Sequence, residues 1–272
     1  MKKIKAILCD FDGTLVDENG YYLPEVKILI KKILNKNIRF SLATGRAYYS
    51  AVKRIEKELG IKGIHILHGV AMIFDSITNK IMFLQAISNE STVKIIQYLL
   101  SQKLTFSLET KNSVYVSEIE KGNLHYPDIL NQTISEYKNN EQILKIVIYA
   151  KANMLTESEI VFHIKNLKKS CSDISTNWFN FFNFFGADIT SEKATKHTAV
   201  LEYLKLLNLS SDEVVAIGDG PNDYPLFTAC GFGIAMATAP KELKDIADLV
   251  VPSVNDGGMI EALEYIKKNT KS

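Results

Sequence analysis

Asp10-Phe11-Asp12-Gly13-Thr14-Leu15 is the stretch of sequence that decides the fold. It directly follows four apolar residues, Ala6 to Cys9, which are typical of a short buried strand. Residues two apart on a strand project from the same face, so Asp10 and Asp12 can point into one small volume. In parallel sheets, ligands bind beyond the carboxyl ends of the strands. An alternative interpretation is that Asp-Gly is a turn signal and that Asp12 only caps the turn.

The pattern around this stretch predicts an α/β domain. In the first third of the chain, short apolar runs alternate with segments of helical periodicity, and the same alternation returns near the C-terminal end. The predicted strands are residues 6–9, 40–43, 64–67, 214–217, 233–235 and 249–251. The predicted helices are residues 24–36, 52–59, 222–229, 241–247 and 259–267. Strands that are continuously apolar between helices indicate a parallel sheet buried on both faces.

The middle of the chain follows a different pattern. It begins with a helical segment, continues with two alternating runs around a Lys111-Asn112 turn, and contains a capping box at Thr156 and Glu159 that opens a second helix. Further extended runs are predicted at 143–150, 173–179 and 181–189. We therefore predict an α+β module, residues 84–187, inserted into an α/β domain formed by residues 1–83 and 188–272.

Polar residues follow two other predicted strands. Thr44 and Gly45 precede a predicted helix, whose unpaired N–H groups can hold an anion, although Thr44 could equally be a simple N-cap. In the C-terminal part, a strand is followed by Gly218-Asp219-Gly220-Pro221-Asn222-Asp223. Its glycines allow close approach of a ligand, and the carboxylates of Asp219 and Asp223 suit Mg²⁺. Turn geometry alone would explain Gly, Pro and Asn, but it does not require two aspartates.

Composition and charge exclude several classes of protein. The chain has 272 residues, of which 46% are hydrophobic and 23% charged, as is typical of globular proteins. Thirty-two basic and 31 acidic residues give a net charge of +1, so no overall field attracts nucleic acid or anionic lipid. No run approaches the roughly 18 apolar residues of a membrane span, and three scattered cysteines indicate no disulfide framework. We expect a soluble, cytoplasmic monomer or weak homo-oligomer without nucleic-acid or membrane partners.

Taken together, four segments resemble the motifs of the haloacid dehalogenase superfamily in order and in strand placement. The matching residues are Asp10-x-Asp12-Gly13-Thr14, Thr44, Lys196 at the start of a predicted helix, and Gly218-Asp219-x-x-x-Asp223. Ala235-Met236 and Asp256-Gly257-Gly258 extend the similarity to the Cof-type, class IIB branch of phosphatases, whereas the inserted module is similar in layout only. The resemblance implies a Rossmann-like core and an inserted C2B-type cap over its active site.

The resemblance also implies a division of roles among the motif residues. Asp10 would attack phosphorus to form an aspartyl phosphate, and Asp12 would protonate the leaving alcohol and then activate water. Mg²⁺ would be held by Asp10, the backbone carbonyl of Asp12, Asp219 and Asp223. Phosphate binding would fall to Thr44, Gly45, Lys196 and Asn222. A cation is needed because the phosphate dianion of the substrate is repelled by the aspartates. Each close pair of like charges costs about 4 kcal/mol at an effective dielectric constant of about 20.

The chain departs from the pattern of this branch at three places. It has His68-Gly69 where Asn-Gly is common, His197 where a glycine often follows the motif lysine, and Ala237-Thr238 where Gly-Asn is common. None of these departures removes a catalytic group. They put analogy with the substrate of any single relative in doubt.

The sequence thus predicts a Mg²⁺-dependent phosphatase that acts on small phosphorylated metabolites, with sugar phosphates first and pyridoxal phosphate or flavin mononucleotide as further candidates. Asp12 argues against dehalogenation, because a halide leaving group needs no acid. A phosphomutase, a phospho-aspartate signalling receiver and a catalytically silent sensor are the alternatives. The aromatic residues between 178 and 185 could stack on a flat ring, although packing in a core is the favoured interpretation.

Overall fold

The computed structural model describes residues 3–120, 131–150, 153–181 and 184–270, and for residues 178–181 and 184–185 it describes the backbone alone. The aromatic side chains between 178 and 185 therefore lie outside the described residues. The chain divides into two compact units. The first, called the core unit below, comprises Met1–Arg46, Ala51–Phe83 and Thr195–Ser272. The second, called the inserted unit, comprises Ala47–Ser50 and Leu84–Ala194.

The strands and helices of the described residues are numbered in chain order. The strands are β1 (Ala6–Cys9), β2 (Arg39–Leu42), β3 (Ile64–Leu67), β4 (Met72–Asp75), β5 (Lys80–Leu84), β6 (Phe106–Glu109), β7 (Val114–Val116), β8 (Gln132–Thr133), β9 (Lys145–Tyr149), β10 (Ile174–Phe181), β11 (Phe184–Ser191), β12 (Val214–Gly218), β13 (Phe232–Met236) and β14 (Leu249–Val251). The helices are α1 (Pro24–Leu34), α2 (Lys53–Leu59), α3 (Asn89–Ser101), α4 (Glu157–Ser170), α5 (Lys196–Leu207), α6 (Tyr224–Ala229), α7 (Lys241–Asp245) and α8 (Gly258–Asn269).

A five-stranded parallel sheet forms the centre of the core unit, in the order β14-β13-β12-β1-β2. Every residue of β1 and β12 is buried, because these central strands have helices on both faces. Ala6 and Leu8 of β1 face a cluster that includes Val200 and Tyr203 of α5. The predicted α/β fold with a Rossmann-like parallel sheet and an additional α+β region is thereby confirmed.

Helix α1 shows how the sequence sets these helices. Pro24 starts the helix, where its missing N–H and fixed φ are favourable, and Glu25 lies in the positive first turn. The apolar positions at i, i+3, i+4 and i+7 form one buried stripe, made of Val26, Leu29, Ile30 and Ile33. This stripe packs α1 against the sheet, and α1 also contacts α8.

The segment 64–67 is a strand as predicted, but its place differs from the expected parallel sheet. Strand β3 belongs to a separate sheet in the order β3-β4-β5 and pairs antiparallel with β4. An isolated bridge between Ala43 and Ile66 connects β3 to the end of β2. Next to this bridge the Thr44 N–H donates to the Ile66 carbonyl oxygen at 2.9 Å, whereas the Leu42 N–H donates to the side chain of His65, at Nδ1, at 3.0 Å. The hairpin of β4 and β5 was not predicted.

The inserted unit contains a six-stranded sheet in the order β10-β11-β9-β6-β7-β8. Helices α3 and α4 cover one face of this sheet through a cluster that includes Leu99, Phe106, Ile146 and Leu167. The predicted capping box is present: the Thr156 hydroxyl group and N–H contact the Glu159 carboxylate at 2.7 and 2.8 Å, and α4 begins there.

The limits of the inserted unit differ from the predicted 84–187. Strand β11 continues to Ser191, so a boundary after residue 187 would divide a strand, and the unit ends at Ala194. The unit also includes Ala47–Ser50, because the Tyr49 hydroxyl donates to the carbonyl oxygens of Thr110 and Ser113 at 3.1 and 3.0 Å. Among the described helices, none is both long and apolar enough to cross a membrane.

Candidate active site

Four segments of the core unit bring charged side chains into one cluster. Asp10 follows β1 and Asp219 follows β12, and because these parallel strands are neighbours, both residues lie at the same edge of the sheet. Lys196 is the first residue of α5, and Asp223 ends the 3₁₀ turn Pro221–Asp223. One carboxylate oxygen from each of the three aspartates lies within 4.8 Å of the others.

Lys196 links two of these carboxylates. Its Nζ donates to Asp10 Oδ1 at 2.8 Å and also donates to Asp223 Oδ1, and all three side chains are buried. Burial disfavours the ammonium, but the charges of Asp10 and Asp223 more than offset this effect, so the pKa of Lys196 is raised above its ordinary value. Lys196 is therefore a permanent cation at neutral pH.

The pKa values of Asp10 and Asp219 are raised as well, and for a carboxyl group a raised pKa disfavours the charged form. Burial, followed by the charge of Asp223, raises the pKa of Asp10 well above its ordinary value, although Lys196 opposes this shift. Burial also raises the pKa of Asp219 to about 6, against the stabilising hydrogen bond from Thr14. Both carboxylates are thus held in an environment that disfavours their negative charge.

The cluster has the chemistry of a site for a hard divalent cation. Three carboxylates and one ammonium leave two negative charges in excess, in a region from which water is largely excluded. Its ligand atoms are all oxygens, which suits Mg²⁺ rather than a metal that prefers nitrogen or sulfur ligands. Asp10, Asp219 and Asp223 therefore fit the expected ion.

The turn after β1 contacts the carboxylate of Asp219 through Thr14 and Gly13. The Thr14 hydroxyl donates to Asp219 Oδ1 at 2.7 Å, which orients this carboxylate. Gly13 has a φ of +79°, and a Cβ atom at this position would lie 2.4 Å from Asp219 Oδ2. Any other residue would combine backbone strain with a steric clash, so both the turn and the approach of Asp219 require glycine.

Asp223 contacts Lys196 and also holds the loop of residues 219–223, called the second loop below, which follows β12. Its Oδ2 accepts hydrogen bonds from the backbone N–H groups of Asp219 and Gly220 at 3.0 and 2.9 Å. A Cβ atom at Gly218 would lie 2.5 Å from Asp223 Oδ2, so the glycine makes room for this folding back. One buried carboxylate therefore fixes both the loop and the lysine.

Arg46 is a candidate functional residue that the sequence reasoning missed. Its guanidinium makes three hydrogen bonds to the carboxylate of Asp12, from Nε to Oδ1 and Oδ2 at 3.0 and 2.8 Å and from Nη2 to Oδ1 at 2.7 Å. It also lies 5.4 Å from the centre of the Phe11 ring. The available signal was its position directly after Thr44 and Gly45. The Asp12 side chain thus faces Arg46, outside the three-carboxylate group.

The residues predicted to bind phosphate are placed in different ways. Lys196 lies in the cluster, whereas Asn222 is exposed on the second loop. Thr44 is buried, and its Oγ1 accepts a hydrogen bond from the Arg46 N–H at 3.1 Å, but residues 44–47 are not helical, so Thr44 closes a turn and is not the helix N-cap suggested as an alternative. A Cβ atom at Gly45 would meet no atom within 4 Å, so this backbone is sterically open.

The three departures from the family pattern occupy two kinds of position. His68 is fully buried with a φ of 56°, and its N–H donates to the carbonyl oxygen of Arg46 at 3.0 Å. His197 and the turn residues Ala237 and Thr238 are exposed. His68 therefore supports the Arg46 segment, whereas the other departures alter the surface.

Comparison with known proteins establishes the family. A model of haloacid dehalogenase-like hydrolases matches residues 7–263, and the chain belongs to this family. It is 23% identical over 292 residues to phosphatase YwpJ of Bacillus subtilis, covering 97% of this chain and 100% of the relative. It is 25% identical over 271 residues to a phosphoglycolate phosphatase of Methanosarcina acetivorans, covering 98% of each.

Solved structures show the same fold. TM0651 of Thermotoga maritima aligns with a TM-score of 0.82 at 21% identity, covering 98% of each chain. The HAD subclass IIB sugar phosphatase BT4131 aligns with a TM-score of 0.77 at 20% identity, covering 96% of this chain and 98% of that one. The predicted resemblance to Cof-type members of the superfamily is confirmed, as is the enzyme class, a phosphatase among the hydrolases.

Proposed function

We propose that the protein is a Mg²⁺-dependent phosphatase that hydrolyses small phosphorylated metabolites, sugar phosphates first, through a phosphorylated Asp10. The observation that carries the proposal is the group formed by buried Asp10, Asp223 and Lys196 with half-buried Asp219, which has an excess of two negative charges. Relatives named phosphoglycolate phosphatase and sugar phosphatase support a small phosphorylated substrate. Pyridoxal phosphate and flavin mononucleotide are the further candidates.

The reaction divides between two carboxylates. The Asp10 carboxylate, oriented by Lys196, attacks phosphorus while the bond from phosphorus to the alcohol oxygen breaks, and Asp12 gives a proton to that oxygen. Water then attacks phosphorus and gives a proton to Asp12, while the bond between phosphorus and the Asp10 oxygen breaks, so inorganic phosphate leaves and the Asp10 carboxylate is regenerated. Mg²⁺ held by Asp10, Asp219, Asp223 and the Asp12 carbonyl would neutralise the charge of the phosphoryl oxygens.

The phosphate group of the substrate is proposed to contact Lys196, Thr44 and Gly45. Asn222 is a further proposed contact. Arg46 holds the Asp12 carboxylate by three hydrogen bonds, which limits the orientations that this side chain can adopt. We assign Arg46 the role of a positioning residue for Asp12.

The direct test is a phosphate-release assay on the purified protein with a panel of sugar phosphates, phosphoglycolate, pyridoxal phosphate and flavin mononucleotide. Release that requires Mg²⁺ and stops with a chelator is the expected result. A phosphorylated isomer of the substrate, formed without inorganic phosphate, would instead identify a phosphomutase. A protein that turns over none of these esters would contradict the proposal.

Mg²⁺ should stabilise the protein more at pH 7.5 than at pH 5. Since the pKa of Asp219 rises from 3.8 to about 6 on folding, the metal-free protein loses stability as the pH rises through this window. A cation offsets that loss only where the carboxylates are charged. The increase in melting temperature on adding Mg²⁺ should therefore be clearly larger at pH 7.5 when both are measured by differential scanning fluorimetry.

Asp219→Asn is the matched variant for this measurement. It keeps the size of the side chain but removes one of the crowded charges, so the metal-free variant should melt higher than wild type at pH 7.5 and gain less from Mg²⁺. NaCl at equal ionic strength controls for general screening. An equal Mg²⁺ effect at both pH values, or in both proteins, would be evidence against the metal site.

A further inference from the structure

Two ionisable side chains lie buried in the core unit and have no role in the proposed reaction. Glu56 of α2 is 3% exposed, and His65 of β3 is fully buried. Glu56 Oε1 lies 3.5 Å from His65 Nε2. Removing a carboxylate from water is unfavourable unless strong contacts compensate for it, and two apolar side chains would fill the same space without that penalty. The pair therefore indicates a role other than packing.

The two ring nitrogens of His65 have different surroundings. The Leu42 N–H donates to Nδ1 at 3.0 Å, so Nδ1 is an acceptor and carries no proton. The proton of the neutral ring is then on Nε2, which has no hydrogen-bond partner among the residues that the structure describes. The Glu56 carboxylate beside Nε2 favours a proton there by its charge. His65 is thus held in one of its two neutral forms.

The orientation of the Glu56 carboxylate is set by the ends of the hairpin that β3 and β4 form. The hydroxyl group of Ser76, directly after β4, donates to Glu56 Oε1. Ser76 Oγ accepts a hydrogen bond at 3.0 Å from the N–H of Gly63, directly before β3, and the Ser76 N–H donates to the Gly63 carbonyl oxygen at 2.9 Å. These contacts hold Glu56 beside His65.

Leu42 leads directly to residues of the candidate active site. It is the last residue of β2, and Thr44 and Gly45 follow after one further residue. The Thr44 N–H donates to the Ile66 carbonyl oxygen of β3 at 2.9 Å. This bond joins two backbone groups and does not depend on the side chain at either position. The bond from Leu42 to the ring of His65, in contrast, depends on the identity of residue 65.

We propose that His65 and Glu56 are positioning residues for phosphate binding by Thr44 and Gly45. His65 accepts the hydrogen bond of Leu42 and thereby fixes the end of β2, and Glu56 keeps the ring in the form that can accept. This inference rests on the proposed phosphatase function, in which Thr44 and Gly45 contact the phosphate group. It adds two residues that act on the phosphate only through the backbone of Leu42.

Loss of the acceptor at Nδ1 would leave the N–H of the fully buried Leu42 without a partner. A buried donor without an acceptor is unfavourable, so the end of β2 would shift toward another partner or toward water. Only the unshifted arrangement presents Thr44 and Gly45 as in wild type, and the apparent affinity for phosphate falls in proportion to the population of that arrangement. A weaker affinity for phosphate is therefore the sign of a positioning role.

The test uses the full-length protein with Mg²⁺ and measures KM and kcat for p-nitrophenyl phosphate, and the dissociation constant of inorganic phosphate by isothermal titration calorimetry. His65→Leu removes the acceptor and should raise KM and this dissociation constant about ten-fold, with a smaller change in kcat. His65→Asn places an amide oxygen near the position of Nδ1 and should bring both values back to within about three-fold of wild type. Glu56→Gln, which keeps the shape of the side chain, should raise both values about three-fold.

His163→Leu and Glu58→Gln are the matched controls. His163 Nδ1 on α4 makes a hydrogen bond of 2.9 Å with the Tyr98 hydroxyl, and Glu58 pairs with Arg54 on α2. The same two substitutions at these positions should leave KM and the dissociation constant of phosphate unchanged.

Nitrogen-15 NMR of the imidazole rings gives a readout that does not depend on turnover. At neutral pH the signals of His65, identified because they disappear in His65→Asn, should show an unprotonated Nδ1 and a protonated Nε2. A proton on Nδ1 in the wild-type protein would contradict the proposal.

Melting curves identify variants that do not fold. Wild-type affinity for phosphate in a folded His65→Leu would overturn the proposal, as would a His65→Asn variant that is impaired as strongly as His65→Leu. If His65→Leu does not fold, Glu56→Gln decides, and unchanged values of KM and of the dissociation constant would then overturn it. A wild-type protein that neither hydrolyses p-nitrophenyl phosphate nor binds phosphate would refute the proposed function instead.

Discussion

Replacing Asp10 by asparagine is expected to lower kcat by about four orders of magnitude or more, as loss of an enzymatic nucleophile does elsewhere. The amide keeps the shape of the side chain but cannot attack phosphorus. The variant should stay folded, because the raised pKa of Asp10 shows that its charge is disfavoured in this environment. Steady-state phosphate release and a melting curve measure the two effects separately.

Asp245→Asn is the matched control for Asp10→Asn. Asp245 lies on α7 with a largely exposed side chain, where it pairs with Lys241. The same chemical change there should leave kcat unaltered. Substantial Mg²⁺-dependent turnover by Asp10→Asn would show that another group is the phosphoryl acceptor. Wild-type protein should also acquire a phosphoryl group on Asp10, which peptide mass spectrometry after rapid acid quenching can detect.

Replacing Asp12 by asparagine should lower kcat by about 10²- to 10⁴-fold for a sugar phosphate, the usual contribution of a general acid. The loss should be much smaller in the phosphorylation step with p-nitrophenyl phosphate, because nitrophenolate leaves without a proton. Single-turnover measurement of nitrophenolate release isolates this step. Equal losses for both substrates would mean that Asp12 does not protonate the leaving group.

The contacts of Arg46 with Asp12 allow a test of whether Arg46 contributes to catalysis only through Asp12. If Arg46 acts by holding Asp12, Arg46→Met should lower kcat in wild type but have little further effect in the Asp12→Asn background, so the two changes are not additive. Arg54→Met removes an exposed arginine that pairs with Glu58 and serves as the control. A full Arg46 effect in both backgrounds would give Arg46 a role independent of Asp12.

Much of the cluster could be predicted because it depends on the positions of strand ends. Once alternating apolar runs indicate a parallel sheet, Asp10 and Asp219 must emerge at its carboxyl edge, and the structure places them there beside Lys196 and Asp223. The α+β character of the middle segment followed from its alternating pattern and from the capping box at Thr156. Each strand end and the capping box is encoded by a short stretch of sequence, so local patterns reveal them.

The features that could not be predicted depend on side chains that meet across long sequence distances. The pairing of Arg46 with Asp12 has only a weak signal in the sequence, the position of Arg46 after Thr44 and Gly45, because an arginine in a loop is usually solvated. The contact of the His65 ring with the Leu42 N–H, where β3 meets β2, likewise requires knowledge of the tertiary structure. The late boundary at Ala194 arises because β11 pairs along its whole length with β10.

The assignment of Ala47–Ser50 to the inserted unit determines how the enzyme can be dissected. The polypeptide passes from one unit to the other after residues 46, 50, 83 and 194, rather than only at the two ends of a simple insertion. A fragment of residues 84–194 would therefore lack Tyr49, whose hydroxyl anchors the loop between β6 and β7. Attempts to exchange this unit between relatives should carry the short upstream tetrapeptide along with it.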